Sequence, residues 1–110
     1  MKKRFIDLHV HTTASDGTLT PQEVVEKALE LGFSAIAIAD HDTAKGLEPA
    51  IEAVAGRELE IIPAVELSAS EGESDIHILG YLIDYRDPKL TSVAKRLRRA
   101  RYQRGVRMVE

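Results

Sequence analysis

The sequence predicts an α/β fold with a mostly parallel sheet that forms only part of a barrel or of an open, doubly wound sheet. Two observations support this fold class. Short apolar runs alternate with segments of helical period, in the order strand, helix, strand, helix, strand, strand, helix. Histidines, acids or both follow each of the first three runs, and α/β proteins gather their chemistry at the carboxyl ends of their strands.

The first strand and the first helix are predicted from residues 5–8 and from a capping signal. Thr20 offers a capping hydroxyl, Pro21 suits the first helical position, and Glu23 completes a capping box. Gly32 can end the helix, because glycine readily adopts the left-handed conformation found there. This pair of elements is the first βα unit of the predicted fold.

The middle of the chain predicts a second unit and a hairpin. Residues 35–39 are apolar and small, as expected of a strand buried on both faces. A helix then ends near Gly56, and residues 59–66 form the third strand. Residues 70–75 are interpreted as a loop, after which the run from Ile76 returns antiparallel. The second helix buries a stripe made by Leu47, Ile51 and Val54.

The last predicted element is a helix that Asp87 and Pro88 open. Its inward positions are expected to be Leu90, Val93, Leu97 and Ala100. The chain stops at Glu110 within this pattern, without a capping or turn signal, so we expect the N-terminal portion of a longer protein. Such a portion should expose sheet edges and an incompletely covered core, and it should tend to self-associate.

Composition restricts the function classes. The chain has 110 residues, 44% of them hydrophobic and 30% charged, which suits one small globular domain. The absence of cysteine excludes disulfides, thiolate zinc sites and a cysteine nucleophile. No apolar run approaches the roughly 20 residues of a membrane span, so we expect no membrane partner. Residues 1–4 resemble the start of a signal sequence, but Asp7 and His9 interrupt it, which predicts a cytoplasmic protein.

The net charge of −3 conceals an uneven distribution. Residues 1–87 carry 7 basic and 17 acidic side chains, whereas residues 88–110 carry 8 basic side chains and one acid. The acidic part suits cation binding. The basic part is interpreted as a solvated helix face, with contact to phosphate or nucleic acid as the alternative.

Two candidate ligand motifs lie near the first strand. In His9-Val10-His11 the two imidazoles are two residues apart, so an extended segment points them to the same side. The pair can therefore converge on one metal ion, although this spacing alone is a weak signal. Asp16 stands before Gly17 in a sequence that also favours an ordinary turn.

The later strands end in further candidate ligands. Asp40, His41 and Asp42 follow the second strand, where Asp40 could orient a histidine and Asp42 could instead begin a helix as its N-cap. Glu66 ends the third strand, and an antiparallel hairpin would place His77 beside it. Imidazole nitrogens and carboxylate oxygens are the ligands of hydrolytic metal sites, so a metal-dependent hydrolase is the leading hypothesis.

The ordered motifs resemble the PHP family, the "polymerase and histidinol phosphatase" domain. Within it, the chain is most similar to the stand-alone phosphoesterases that act on nucleotides and on nucleic-acid 5′ ends. The resemblance implies that residues 1–110 are the N-terminal portion of a single PHP domain, a distorted (β/α)7 TIM-like barrel that is incomplete in this chain. The matching segments are His9-Val10-His11-Thr12, Ser15-Asp16-Gly17, Asp40-His41-Asp42, Glu66 and His77-Ile78-Leu79-Gly80-Tyr81.

The resemblance also implies up to three divalent metal ions, either zinc, manganese or iron, with magnesium also compatible. His9, His11 and Glu66 would hold one, and Glu66 would bridge to a second held with His77. Asp16 and His41 would hold a third. Family members supply further ligands from later segments, a histidine and an Asp-x-His pair, which this sequence lacks after His77.

The functional hypothesis is hydrolysis of phosphomonoesters or phosphodiesters by a water that bridges two metals. The expected partners are a small phosphorylated substrate or a nucleic-acid 5′ end, and Asp40 or Asp42 would orient ligands or relay a proton. One alternative is an inactive fragment or metal-binding module that needs the missing C-terminal part or a partner chain. Another is a histidinol phosphatase-type or polymerase-associated PHP domain.

Overall fold

A computed structural model describes residues 5–71 and 74–109, with four strands and three helices among them. The order of elements is the predicted one. The elements are β1 (Phe5–Val10), α1 (Pro21–Glu30), β2 (Phe33–Ile38), α2 (Leu47–Ala53), β3 (Glu60–Glu71), β4 (Ser74–Tyr81) and α3 (Pro88–Val109).

The four strands form one sheet in the order β1-β2-β3-β4. The pairs β1–β2 and β2–β3 are parallel, and β4 returns antiparallel to β3. The sheet curls. Its two edge strands come into contact, since the Tyr81 hydroxyl of β4 donates a 2.7 Å hydrogen bond to the Leu8 carbonyl of β1. The fold is therefore part of a TIM-like α/β barrel, which confirms the predicted fold class.

Helix α1 begins at the predicted capping box. The Glu23 amide donates to the Thr20 hydroxyl at 3.1 Å, and the Thr20 amide donates to the Glu23 carboxylate at 3.0 Å. Leu31 caps the carboxyl end, and Gly32 follows with φ of 83°, a left-handed conformation that suits glycine. Both ends of this helix thus form as its sequence predicts.

The core lies on both faces of β2. On the helical face, Ile36 and Ile38 pack with the buried sides of α1 and α2. On the opposite face lie the small side chains of Ala37, Ala39 and Ala64. Residues 35–39 are buried throughout, as their uninterrupted apolar sequence predicts.

The predicted loop at residues 70–75 is wrong for the positions that the structure describes. Strand β3 continues to Glu71 and β4 begins at Ser74, with Ser70 paired to Asp75. Backbone pairing along a regular antiparallel ladder extends the hairpin through a polar sequence that gives no apolar alternation. Residues 72–73, and residues 1–4, which resemble the start of a signal sequence, lie outside the described residues.

Helix α3 opens at Pro88 as predicted, but its buried stripe differs from the expected one. Leu90, Val93 and Leu97 are partly buried, whereas Ala100 is exposed and Ala94 is only 4% exposed. Helix α3 contacts β3, and Ala94 is its most deeply buried described residue. No helix in the described part of the chain is both long and apolar enough to cross a membrane.

Strand β1 forms an exposed edge. Its apolar side chains remain accessible on both faces, with Phe5 48%, Ile6 60% and Leu8 43% exposed. The expectation of exposed sheet edges is therefore confirmed.

Candidate metal centre

The fold brings all six predicted ligand residues together at one end of the parallel strands. His9 lies in β1, and His11 follows directly after this strand. His41 pairs across a backbone bridge with Glu66 of β3. Asp16 comes from the loop before α1, and His77 reaches in from β4. The carboxyl ends of neighbouring strands thus deliver side chains that are far apart in sequence.

Glu66 is the centre of the cluster. Its side chain is only 6% exposed, yet it contacts four imidazoles. Oε1 lies 3.1 Å from His9 Nε2, 2.9 Å from His11 Nε2 and 3.3 Å from His41 Nε2. Oε2 lies 3.2 Å from His77 Nδ1. The hairpin brings His77 to Glu66 as predicted, but diagonally, because His77 pairs with Ser68 and Glu66 with Leu79.

A second group forms around Asp16. Its Oδ1 lies 2.7 Å from His11 Nδ1 and its Oδ2 lies 3.3 Å from His41 Nε2. His11 is therefore shared, since one ring nitrogen faces Asp16 and the other faces Glu66. Ligand atoms lie within 4.8 Å of one another in three overlapping groups: His9, His11 and Glu66; His11, Asp16 and His41; His41, Glu66 and His77.

The donor set fits divalent metal ions. The Nε2 atoms of His9 and His11 are 3.1 Å apart, so both nitrogens face one point, as the H-x-H alternation predicts. Such nitrogens, together with carboxylate oxygens, suit zinc, manganese or iron. His41 Nδ1 is buried without a hydrogen-bond partner among the described residues. The polar contacts of the His41 ring are therefore made by Nε2, which faces Asp16 and Glu66 in the cluster.

The histidines also change the acidity of both acids. Burial raises the pKa of Glu66, but hydrogen bonds and charge from the surrounding imidazoles outweigh it, so the net pKa is lowered. The pKa of Asp16 is lowered in the same way, with burial opposed by the charges of His11 and His41. Both carboxylates are therefore ionised at neutral pH and available to a cation.

In the described part of the chain, the Asp40 carboxylate contacts a loop and no histidine ring. This buried carboxylate accepts hydrogen bonds from the Thr12 amide at 2.6 Å, the Thr12 hydroxyl at 2.7 Å and the Ser15 hydroxyl at 2.7 Å. These bonds hold the loop that carries His11 and Asp16. Asp40 therefore shapes the site through the backbone of that loop.

Asp42 does not cap a helix, because α2 begins only at Leu47. It adopts a left-handed backbone with φ of 52°, and its buried carboxylate accepts from the Ser68 amide at 2.8 Å. Arg98 and Arg101 of α3 also contact Asp42. Sequence reasoning missed these arginines, since the basic segment was interpreted as a solvated helix face.

The fold and the site define a partial TIM-like α/β barrel with a cluster of candidate metal ligands at one end of its parallel strands. Residues 7–108 match the PHP domain, and the chain belongs to this family. It is 41% identical over 106 residues to the 5′-3′ exoribonuclease Rnm of Escherichia coli strain K12. It is 40% identical over 103 residues to the 3′,5′-nucleoside bisphosphate phosphatase of Chromobacterium violaceum. Both alignments cover 94% of this chain and 36% of the relative.

Solved structures also match this fold over most of the chain. A Chromobacterium violaceum protein described as an amidohydrolase with bound sulfate superposes with a TM-score of 0.84 at 40% identity. A Bifidobacterium adolescentis protein described as a metal-dependent phosphoesterase superposes with a TM-score of 0.83 at 38% identity. Each match covers 94% of this chain and 36% of the other. The chain thus spans about a third of the length of these relatives.

Proposed function

We propose that the protein containing this chain is a metal-dependent phosphoesterase that hydrolyses nucleotides or nucleic-acid 5′ ends. The observation that carries the proposal is the convergence of four imidazoles on the buried carboxylate of Glu66. The relatives named as an exoribonuclease and as a nucleoside bisphosphate phosphatase support phosphate ester substrates. Residues 1–110 would be the N-terminal portion of one PHP domain.

His9, His11 and Glu66 would hold one metal, Glu66 and His77 a second, and Asp16 and His41 a third. Glu66 is suited to join two of them, because Oε1 faces three histidines and Oε2 faces His77. When bound, the metals would supply an activated water and neutralise charge on the phosphate oxygens. Asp16 would fix the ring of His11, since its hydrogen bond to Nδ1 leaves Nε2 directed at Glu66.

Access to the cluster is one-sided. The side chains of His9, His77 and Asp16 are 44%, 48% and 61% exposed, whereas those of Glu66 and His41 are 6% and 11% exposed. A phosphate would therefore approach past His9 and His77, while Glu66 and His41 form the floor. This arrangement suits the small phosphoryl end of a substrate.

The test uses the full-length protein with Glu66→Gln and His41→Ala, and Glu58→Gln as the exposed control. We expect each site variant to retain less metal by elemental mass spectrometry. Turnover of a nucleoside 3′,5′-bisphosphate and of a 5′-phosphorylated oligoribonucleotide should fall by at least about 100-fold, because losing a ligand should cost at least as much as losing a residue that only orients one. Unchanged metal content and turnover in both site variants would refute the assignment. Metal retention without turnover by the wild type would favour a metal-binding module.

A further inference from the structure

The buried carboxylate of Asp42 joins the metal centre to α3. Asp42 is fully buried, and Ser68 supplies a backbone hydrogen bond to Oδ1. Oδ2 has no hydrogen-bond partner in the described part of the chain, and its contact is the Arg101 guanidinium at 3.4 Å. An isolated buried carboxylate is costly, and the Arg101 guanidinium is the cationic partner that offsets this cost.

Two arginines of α3 contact Asp42 or its neighbour Ser68. Arg98 donates from Nη1 to the Asp42 carbonyl oxygen, and Arg101 Nη1 also lies 3.4 Å from the Ser68 hydroxyl. We call these four residues, Asp42, Ser68, Arg98 and Arg101, the Asp42 clamp. They connect the turn after β2, the middle of β3 and the helix.

The clamp lies directly beside two of the proposed ligands. The Asp42 amide donates to the Glu66 carbonyl at 2.9 Å, and the Glu66 amide donates to the Asp40 carbonyl at 3.0 Å. These bonds flank the bridge between His41 and Glu66, whose Nε2 and Oε1 atoms are 3.3 Å apart. A shift of the left-handed turn at Asp42 would therefore move His41 relative to Glu66.

We propose that Arg98 and Arg101 are positioning residues that act through Asp42, so that docking of α3 sets the geometry of the metal centre. This proposal rests on the proposed function. Two of the basic side chains of α3 then contact Asp42 within the molecule, unlike the basic side chains of the helix that face only solvent.

The test compares Arg101→Gln, Arg101→Lys and Arg99→Gln in the full-length protein. Arg99 is the matched control, because it lies on the same helix and is exposed like Arg101 but contacts neither Asp42 nor Ser68. In Arg101→Gln we expect kcat to fall about tenfold and metal retention to drop, with KM within about twofold, as for other residues that orient metal ligands. Arg101→Lys should restore most of kcat by keeping the charge, and Arg99→Gln should match the wild type.

A double variant, Asp42→Asn with Arg101→Gln, tests whether the two side chains act as a unit. Its loss of kcat should be no greater than that of the worse single variant, because coupled residues are not additive. A rise in KM with kcat unchanged would overturn the proposal and make Arg101 a substrate contact. Loss of kcat in proportion to the folded fraction, measured by near-UV circular dichroism, would also overturn it.

The outcome is separable from the proposed function. If the wild type binds metal but does not hydrolyse phosphate esters, the proposed function fails. A difference in metal retention between Arg101→Gln and Arg99→Gln would then still support positioning, and equal retention would reject it. A wild type that retains no metal would reject both proposals.

Discussion

At the residue scale, position 17 requires glycine because the neighbouring backbone leaves no room for a Cβ atom. The sequence suggests an ordinary turn dipeptide, and Asp16 does lie in a turn, with Gly17 directly after it. However, a Cβ atom on Gly17 would stand 2.6 Å from the His11 carbonyl oxygen and 2.8 Å from the Thr12 amide nitrogen. Both neighbours are backbone atoms, so a larger residue must displace the loop that presents His11 and Asp16.

We therefore expect Gly17→Ala to lower the free energy of unfolding by about 1–3 kcal/mol, the usual cost of overpacking. It should also weaken metal retention, because the loop joins His11 to Asp16. The measurements are chemical denaturation and metal titration. Gly80→Ala is the control, since a Cβ there meets nothing closer than 3.6 Å. Equal effects of the two substitutions would contradict the close-packing argument.

Local sequence rules place some site residues correctly and fail for others. The placement of His9 beside His11 follows from alternation in an extended segment, which is a local rule. The roles of Asp40 and Asp42 depend on Thr12, Ser15 and α3, which are 25 to 56 residues away in the chain. No local pattern encodes such partners, so sequence reasoning identified the two acids as important and misassigned their contacts.

At the element scale, the capping box of α1 makes a measurable contribution. We expect Thr20→Ala to cost about 1 kcal/mol at neutral pH, the usual loss for an N-cap hydroxyl. The measurement is urea denaturation followed by circular dichroism. Glu30→Ala on the same helix is the control, because that side chain is exposed and lies outside the capping box. A control loss as large as that of Thr20→Ala would argue against a capping effect.

The capping box also predicts a pH dependence. Hydrogen bonds from the Thr20 backbone and hydroxyl lower the pKa of Glu23 in the folded state. The ionised carboxylate therefore stabilises the fold at neutral pH, and this stabilisation is lost as the pH falls through the lowered pKa. The stability difference between the wild type and Glu23→Ala should shrink below about pH 4, where glutamate titrates. A difference independent of pH would show that the charged form is not favoured.

The elements themselves were largely predictable, because capping residues, glycine ends and apolar runs are local signals. The full length of the β3–β4 hairpin was harder to predict. Polar residues near positions 70–75 suggested a loop, yet the β3–β4 ladder pairs Glu71 with Ser74. The inward face of α3 was also only partly predicted, since the exposed Ala100 and the buried Ala94 are equally apolar and the approach of β3 decides between them.

At the scale of the whole molecule, β1 combines an unpaired edge with exposed apolar side chains on both faces. Tyr81 contacts the Leu8 carbonyl across the curled sheet, but it leaves the Leu8 side chain accessible. Exposed apolar strands with free backbone groups favour pairing with a second chain. The surface made by Phe5, Ile6 and Leu8 is thus suited to pair with a second copy of the 110-residue chain.

We expect this chain to self-associate in a concentration-dependent manner in sedimentation velocity, and Ile6→Lys to reduce the associated fraction severalfold. A lysine on an edge strand opposes pairing because its charge would be desolvated there. Tyr102→Lys is the control, since Tyr102 is 74% exposed but lies on α3, away from β1. If Tyr102→Lys reduced association as much as Ile6→Lys, the reduction would come from the added positive charge and not from the β1 surface. Association that persisted in Ile6→Lys would place the contact elsewhere on the molecule.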